Sequence, residues 1–186
     1  MNFIRHSDLV GQHAFLGASK YHWINYDEDK LVQSYFSSLA VQRGTELHDL
    51  ACQLIRLKVT LPRTQKTLNM YVNDALHYNL IPEQPLYFSR NCFGTADAIN
   101  FDEEKRFLRI HDLKTGTSPT HIEQLQIYAA LFCLEYHKQP DHFATELRIY
   151  QNDSIEINKP APEDISRIMQ TIIRFDDKIE KLKMEE

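Results

Sequence analysis

Apolar residues recur at helical spacing from Gly44 to Lys58, where Leu47, Leu50, Ala51, Leu54, Ile55 and Leu57 form one face with His48 at its edge. Residues 65–78 repeat the pattern with Leu68, Tyr71, Val72, Ala75 and Leu76, and Pro82 and Pro85 argue against further helix. Shorter helices are predicted over 18–24, with Ser19 as a cap, and over 30–40. From Pro85 to Lys114 the period becomes twofold: PLYFS, GTADAINF and RFLRIHDLK read as three strands separated by polar turns. Ser118 and Pro119 supply a cap and a first-turn proline for a helix running to about His137, apolar on most sides and therefore buried. TELRIYQ and SIEIN read as further strands. Pro162-Glu163-Asp164 opens a last amphipathic helix carrying Ile165, Ile168, Met169, Ile172 and Ile179. The order is helices, three strands, helix, strands, helix, in one domain spanning 1–186 whose N-terminal part, to about residue 80, is helical.

Composition narrows the class without deciding the function. With 186 residues, 42% hydrophobic and 25% charged, the chain can enclose a continuous core, which excludes disordered, collagen-like and solenoid readings. No run approaches the ~20 apolar residues of a membrane helix, and the opening MNFIRHSDLVGQHAFLG lacks the apolar centre of a secretory signal. A cytoplasmic protein with no membrane partner is expected. Cys52, Cys92 and Cys133, spaced 40 and 41 residues apart, suit neither a disulfide framework nor a zinc knuckle and are read as reduced thiols. The net charge of −5 divides into +2 over residues 1–72 and −7 over 73–186. A nucleic-acid partner would therefore have to be held by a local patch or through a metal ion.

The candidate chemistry lies in the second and third strands. A hairpin turning at Glu104 and Lys105 pairs Phe101 with Leu108 and Ile99 with Ile110, and the same register sets Asp97 opposite Asp112. Facing carboxylates beside an apolar surface are destabilising unless one takes a proton or a cation lies between them. Lys114, two residues beyond Asp112, is sent to the same side by strand alternation. Two acids and a lysine so placed suit a divalent-metal site for phosphate chemistry.

Four short motifs surround this triplet: Gly44-x-x-x-His48, Gly94-x-x-Asp97, Asp112-Leu113-Lys114-Thr115-Gly116 and Gln124-x-x-x-Tyr128. In order, spacing and element type the sequence resembles the RecB-like branch of the PD-(D/E)XK nuclease superfamily, and the resemblance spans most of the chain. It implies an α/β restriction-endonuclease-like core, a mixed central sheet flanked by helices. It further implies Mg²⁺ or Mn²⁺ held by His48, Asp97, Asp112 and the backbone carbonyl of Leu113, with Lys114 activating or orienting the attacking water. Gln124 and Tyr128 would contact the bound strand or support the site. Glu83, in the PEQPL turn before the first strand, matches an acidic position of many relatives and would bind metal through water. Arg43, with Lys20 and His22, would hold phosphates. Ala96, where many relatives have proline, is an ordinary variant. The cysteines lack the four-residue pattern of members that carry an iron–sulfur cluster, and there is no P-loop, so neither a cluster nor an ATP motor is expected.

The activity implied is a metal-dependent deoxyribonuclease, an exonuclease leaving 5′-phosphates on single-stranded or duplex DNA ends, working with recombination or repair proteins. The alternative is a non-catalytic nuclease-fold protein that binds DNA ends or partners in a recombination or defence complex. An RNA nuclease would use the same residues.

Overall fold

The computed structural model describes Ser7 and residues 11–185; most of the opening segment read above for a leader lies outside them. The chain divides into two compact units, Met1–Thr45 and Glu46–Glu186. In the first, a 3₁₀ helix, Ala18–Asn25, is preceded by Gly17, whose carbonyl accepts both the Lys20 N–H and the Trp23 Nε1–H at 3.0 Å. Ser19 lies inside this turn rather than capping it. Asp27 Oδ1 accepts the Lys30 N–H at 2.7 Å and so starts helix α1, Glu28–Arg56.

Where the periodicity predicts two helices, over 30–40 and 44–58, the structure has the single helix α1. Val41, Gln42 and Arg43 contain no breaker, and one interior glycine, Gly44, costs only about 1 kcal/mol. Of the predicted apolar face, Ala51 and Ile55 are buried and Leu54 packs beside them, but Leu47, Leu50 and Leu57 are exposed. Helix α2, Thr67–His77, buries Tyr71, Val72 and Ala75 as its spacing predicts.

The second unit is built on a five-stranded mixed sheet flanked by helices, an α/β architecture. Its strands are β1 (Ile81–Ser89), β2 (Cys92–Asp102), β3 (Phe107–Leu113), β4 (Ala144–Gln151) and β5 (Ser154–Asn158), in sequential spatial order. All neighbours are antiparallel except β3 and β4, which are parallel and joined through α3, Glu123–Glu135. Helix α4, Pro162–Met184, closes the chain. One sheet face, with Leu86, Ile99, Leu108, Ile110, Leu147 and Ile149, packs on α3 and on Ile165 of α4. The other, with Ala98, Leu113 and Tyr150, packs on Ala51 and Ile55 of α1 and on α2. No described helix is long and apolar enough to cross a membrane.

Two boundaries differ from the sequence reading. The first strand starts at Ile81 rather than Pro85, so Pro82 and Glu83 lie within β1 and not in a turn ahead of it; β1 is an edge strand, where proline is tolerated. Helix α3 starts at Glu123 instead of Ser118 and is uncapped by any side chain. Gln151 Nε2 donates to the carbonyls of Gly116 and Ser118, the latter at 2.9 Å, so this stretch is held as a loop against the end of β4.

Charged residues on the α2 side of the sheet form a closed network. Arg148 Nη1 donates to Asp74 Oδ2 at 3.0 Å, and Arg148 Nε and Arg109 Nε donate to Glu146 Oε1 at 2.9 and 3.2 Å. Tyr150 donates to Asp74 Oδ2 at 2.7 Å, and His111, fully buried beside Tyr150, is held well below its usual proton affinity by burial and then by Arg148 and Arg109. Replacing Arg148 with leucine leaves two carboxylates without their main partner. Urea denaturation should show a loss of about 2–4 kcal/mol.

Candidate active site at the β2–β3 fork

Backbone pairing of β2 with β3 keeps Phe101 opposite Leu108 and Ile99 opposite Ile110, as the sequence register predicts, and stops at Ala98 and His111. Past that point the N-terminal part of β2 pairs only with β1, while Asp112 and Leu113 pair only with Ile149 and Tyr150 of β4. Asp97 and Asp112 therefore stand at the opening of a fork. The Leu113 N–H donates at 2.9 Å to Asp97 Oδ2, a side chain rather than a β2 carbonyl.

Asp112 is the more enclosed of the two acids, with a side chain 3% exposed against 17% for Asp97. Lys114 Nζ donates to Asp112 Oδ1 at 3.1 Å and lies 3.0 Å from Oδ2, which is buried and accepts no hydrogen bond. The same ammonium donates to Gln124 Oε1 at 3.0 Å, and Gln124 Nε2 donates to the Tyr128 hydroxyl at 3.2 Å. Lys114, Gln124 and Tyr128, proposed from two separate motifs, thus form one connected chain on Asp112.

A second group gathers on Asp97. His48 Nδ1, from α1, lies 3.5 Å from Asp97 Oδ2. One donor atom each from His48, Glu83 and Asp97 falls within 4.8 Å of the others, a spacing at which one cation can be shared. Glu83 reaches this position in a left-handed backbone conformation, φ 52°, although the register is unchanged on either side, Pro82 opposite Ala98 and Gln84 opposite Ala96. A non-glycine residue held there inside a strand is strained, and such strain concentrates at functional sites.

The predicted metal set is only partly gathered. Asp112 is outside the three-residue group because its carboxylate is turned to Lys114. Leu113, next to Asp112 in sequence, is buried, with its N–H on Asp97. Arg43 is exposed on the N-terminal unit, as are Lys20 and His22. The sequence reading missed Tyr71. It appeared as one apolar position of α2, yet its ring is 2% exposed, edge-on to Tyr150 at 5.4 Å, and it feels the charges of Asp97, Asp112 and Glu83. A tyrosine on an otherwise aliphatic helix face carries no signal of that placement.

Electrostatics follow from enclosure. Burial, and next the charge of Asp112, push the Asp97 carboxyl up to about 6, against the Leu113 N–H and His48, which pull it down. Burial likewise raises Asp112, opposed by Lys114. A carboxyl that holds its proton more tightly folded than unfolded contributes stability below its unfolded value, 3.8, and loses it as pH rises through about 6. Without added cations, the stability difference between wild type and Asp97→Asn should shift against wild type by up to about 3 kcal/mol between pH 4 and neutrality. Urea melts of both proteins across that range check it.

No protein-family model and no curated protein matches the chain, so the chemistry of this fork rests on its own residues and geometry.

Proposed function

We propose that the chain is a divalent-metal-dependent deoxyribonuclease of the RecB-like PD-(D/E)XK type on a restriction-endonuclease-like fold, acting as an exonuclease on DNA ends. The observation that carries this reading is the unbalanced charge of the fork. Glu83 and Asp97 gather with His48, Asp112 lies close enough for its charge to act on Asp97, and Lys114 is bound to Asp112 alone. The donors fit Mg²⁺ or Mn²⁺: hard carboxylate oxygens, one imidazole that suits Mn²⁺, and a buried Asp112 oxygen without a hydrogen bond. His48, Glu83 and Asp97 would hold the ion, joined by Asp112 and the Leu113 carbonyl.

When bound, the ion supplies a Lewis acid that lowers the proton affinity of water and offsets negative charge on the phosphate. The chain's own residues do the rest. Lys114 offers ammonium protons, one committed to Asp112 and one to Gln124, and a remaining one to orient the attacking water or the scissile phosphate. Asp112, largely shut off from solvent, keeps that ammonium in place and supplies a negative end at which a water proton is favoured. The Leu113 N–H keeps Asp97 oriented toward the fork. Hydrolysis at the phosphorus–3′-oxygen bond leaves a 5′-phosphate on the product. Partners would be single-stranded or duplex DNA ends and proteins of recombination or repair.

The test is cleavage of end-labelled linear DNA, with circular DNA as control, in Mg²⁺, Mn²⁺ and chelator. Linear DNA should be degraded only with metal and circular DNA should survive. Asp112→Asn should lower turnover by at least about 100-fold while the protein stays folded. Calcium should support DNA binding without cleavage. If Mn²⁺ binds and both DNAs stay intact, the protein is a binding module on a nuclease fold and the enzymatic reading is wrong.

A further inference from the structure

The geometry points to Gly94, Tyr128 and Gln124 as a positioning chain for Lys114, in which Tyr128 and Gln124 act on the ammonium and not on the nucleic acid, and Gly94 makes the room that permits it. The inference rests on the nuclease reading above and specifies the work of this helix face within it.

Chemistry dictates the direction of every link. An ammonium has only protons to give, so the carbonyl end of the Gln124 amide must face Lys114, at 3.0 Å. That leaves the amide nitrogen for the Tyr128 hydroxyl oxygen, at 3.2 Å. The amide thus has one permitted orientation, with its oxygen on Lys114 and one of its two N–H groups on Tyr128.

Tyr128 is in turn located by what β2 lacks. A Cβ at Gly94 would lie 3.0 Å from Tyr128 Cε1 and within 4 Å of two further ring atoms. The Gly94 backbone is not in the left-handed region, and the residue pairs with Leu86 in an ordinary ladder, so its conformation does not call for glycine. The tyrosine ring does. Any side chain at 94 would push the ring outward by a few tenths of an ångström, and Gln124 and Lys114 with it.

The consequence falls on the group with most freedom to lose. Lys114 is 32% exposed on a flexible stem, and Asp112 alone fixes only one of its ammonium protons. Holding a second proton on Gln124 selects the orientation that presents the third, which is preorganisation that acts on the chemical step rather than on binding.

The experiment compares wild type, Tyr128→Phe, Gln124→Leu, Gly94→Ala and Gly94→Ala/Tyr128→Phe in Mn²⁺-dependent cleavage, with DNA affinity measured separately in Ca²⁺. Each single change should lower kcat about 3- to 10-fold, the worth of one hydrogen bond, with KM and affinity within about 2-fold of wild type. The double variant should be no slower than the slower single, because both changes cut the same chain. Weaker DNA affinity with kcat intact, or losses that multiply in the double variant, would overturn the assignment. Should Gly94→Ala not fold, Tyr128→Phe and Gln124→Leu decide by the same split. Nitrogen-resolved NMR of the lysine ammonium groups gives a readout without catalysis: the Lys114 signal should be sharp in wild type and exchange-broadened in Gln124→Leu. Wild type that leaves DNA uncut sinks the nuclease reading alone, and a Lys114 signal indifferent to Gln124→Leu sinks the positioning chain alone.

Discussion

The fork where β2 leaves β3 depends on one constraint: carboxylates drawn partly out of water and toward each other. Asp97 and Asp112 are both made harder to ionise by burial, and the surrounding parts of the second unit counter that penalty in different ways. A backbone N–H meets Asp97, an ammonium meets Asp112, and His48 arrives from α1. The helices on either side hold these groups in register, since α3 carries Gln124 and Tyr128 while α1 and α2 pack on the strand residues next to the acids, Ala98 and Leu113.

The two charged clusters of the second unit show what is particular about the fork. On the α2 side, Asp74 and Glu146 each meet a guanidinium, from Arg148 and Arg109, and His111 beside them is kept neutral. Charges there are matched, so the network closes on itself and its role is structural. At the fork, Lys114 meets Asp112 alone, while Asp97 and Glu83 gather with His48 and no described lysine or arginine is bound to them. An excess of buried negative charge costs stability in the metal-free molecule and is the feature from which a cation-dependent function is argued.

Much of this was legible because it depends on local periodicity. Twofold alternation with apolar pairs at Ile99–Ile110 and Phe101–Leu108 places the β2–β3 register as far as Ala98 and His111, and Lys114 meets Asp112 as alternation predicts. The expected pairing of Asp97 with Asp112 is not made, because the ladder ends one residue earlier. Helical spacing finds Tyr71, Val72 and Ala75, and the near-continuous apolar run finds buried α3. Punctuation residues were less informative. Pro82 and Pro85 are tolerated in β1 because that strand is an edge, and Ser118 fails to start α3 because Gln151, far along the chain, takes hold of the loop carbonyls. Both outcomes depend on neighbours that no short window contains.

By itself, then, the amino-acid order determined the place of the central strands, the buried faces of α2 and α3, the apolar pairs of the β2–β3 hairpin and which acids and lysine stand near its end, since each follows from side-chain period and chemistry within about 20 residues. Tertiary structure alone decided how those groups divide their partners: Asp112 to Lys114 and Gln124, Asp97 to His48 and a strained Glu83, Tyr128 into the space over Gly94. The reason is physical. Hydrogen bonds and charge pairs at a few ångströms depend on the positions of atoms brought together from distant segments, and a one-dimensional pattern fixes which face a side chain occupies but not which neighbour it meets there.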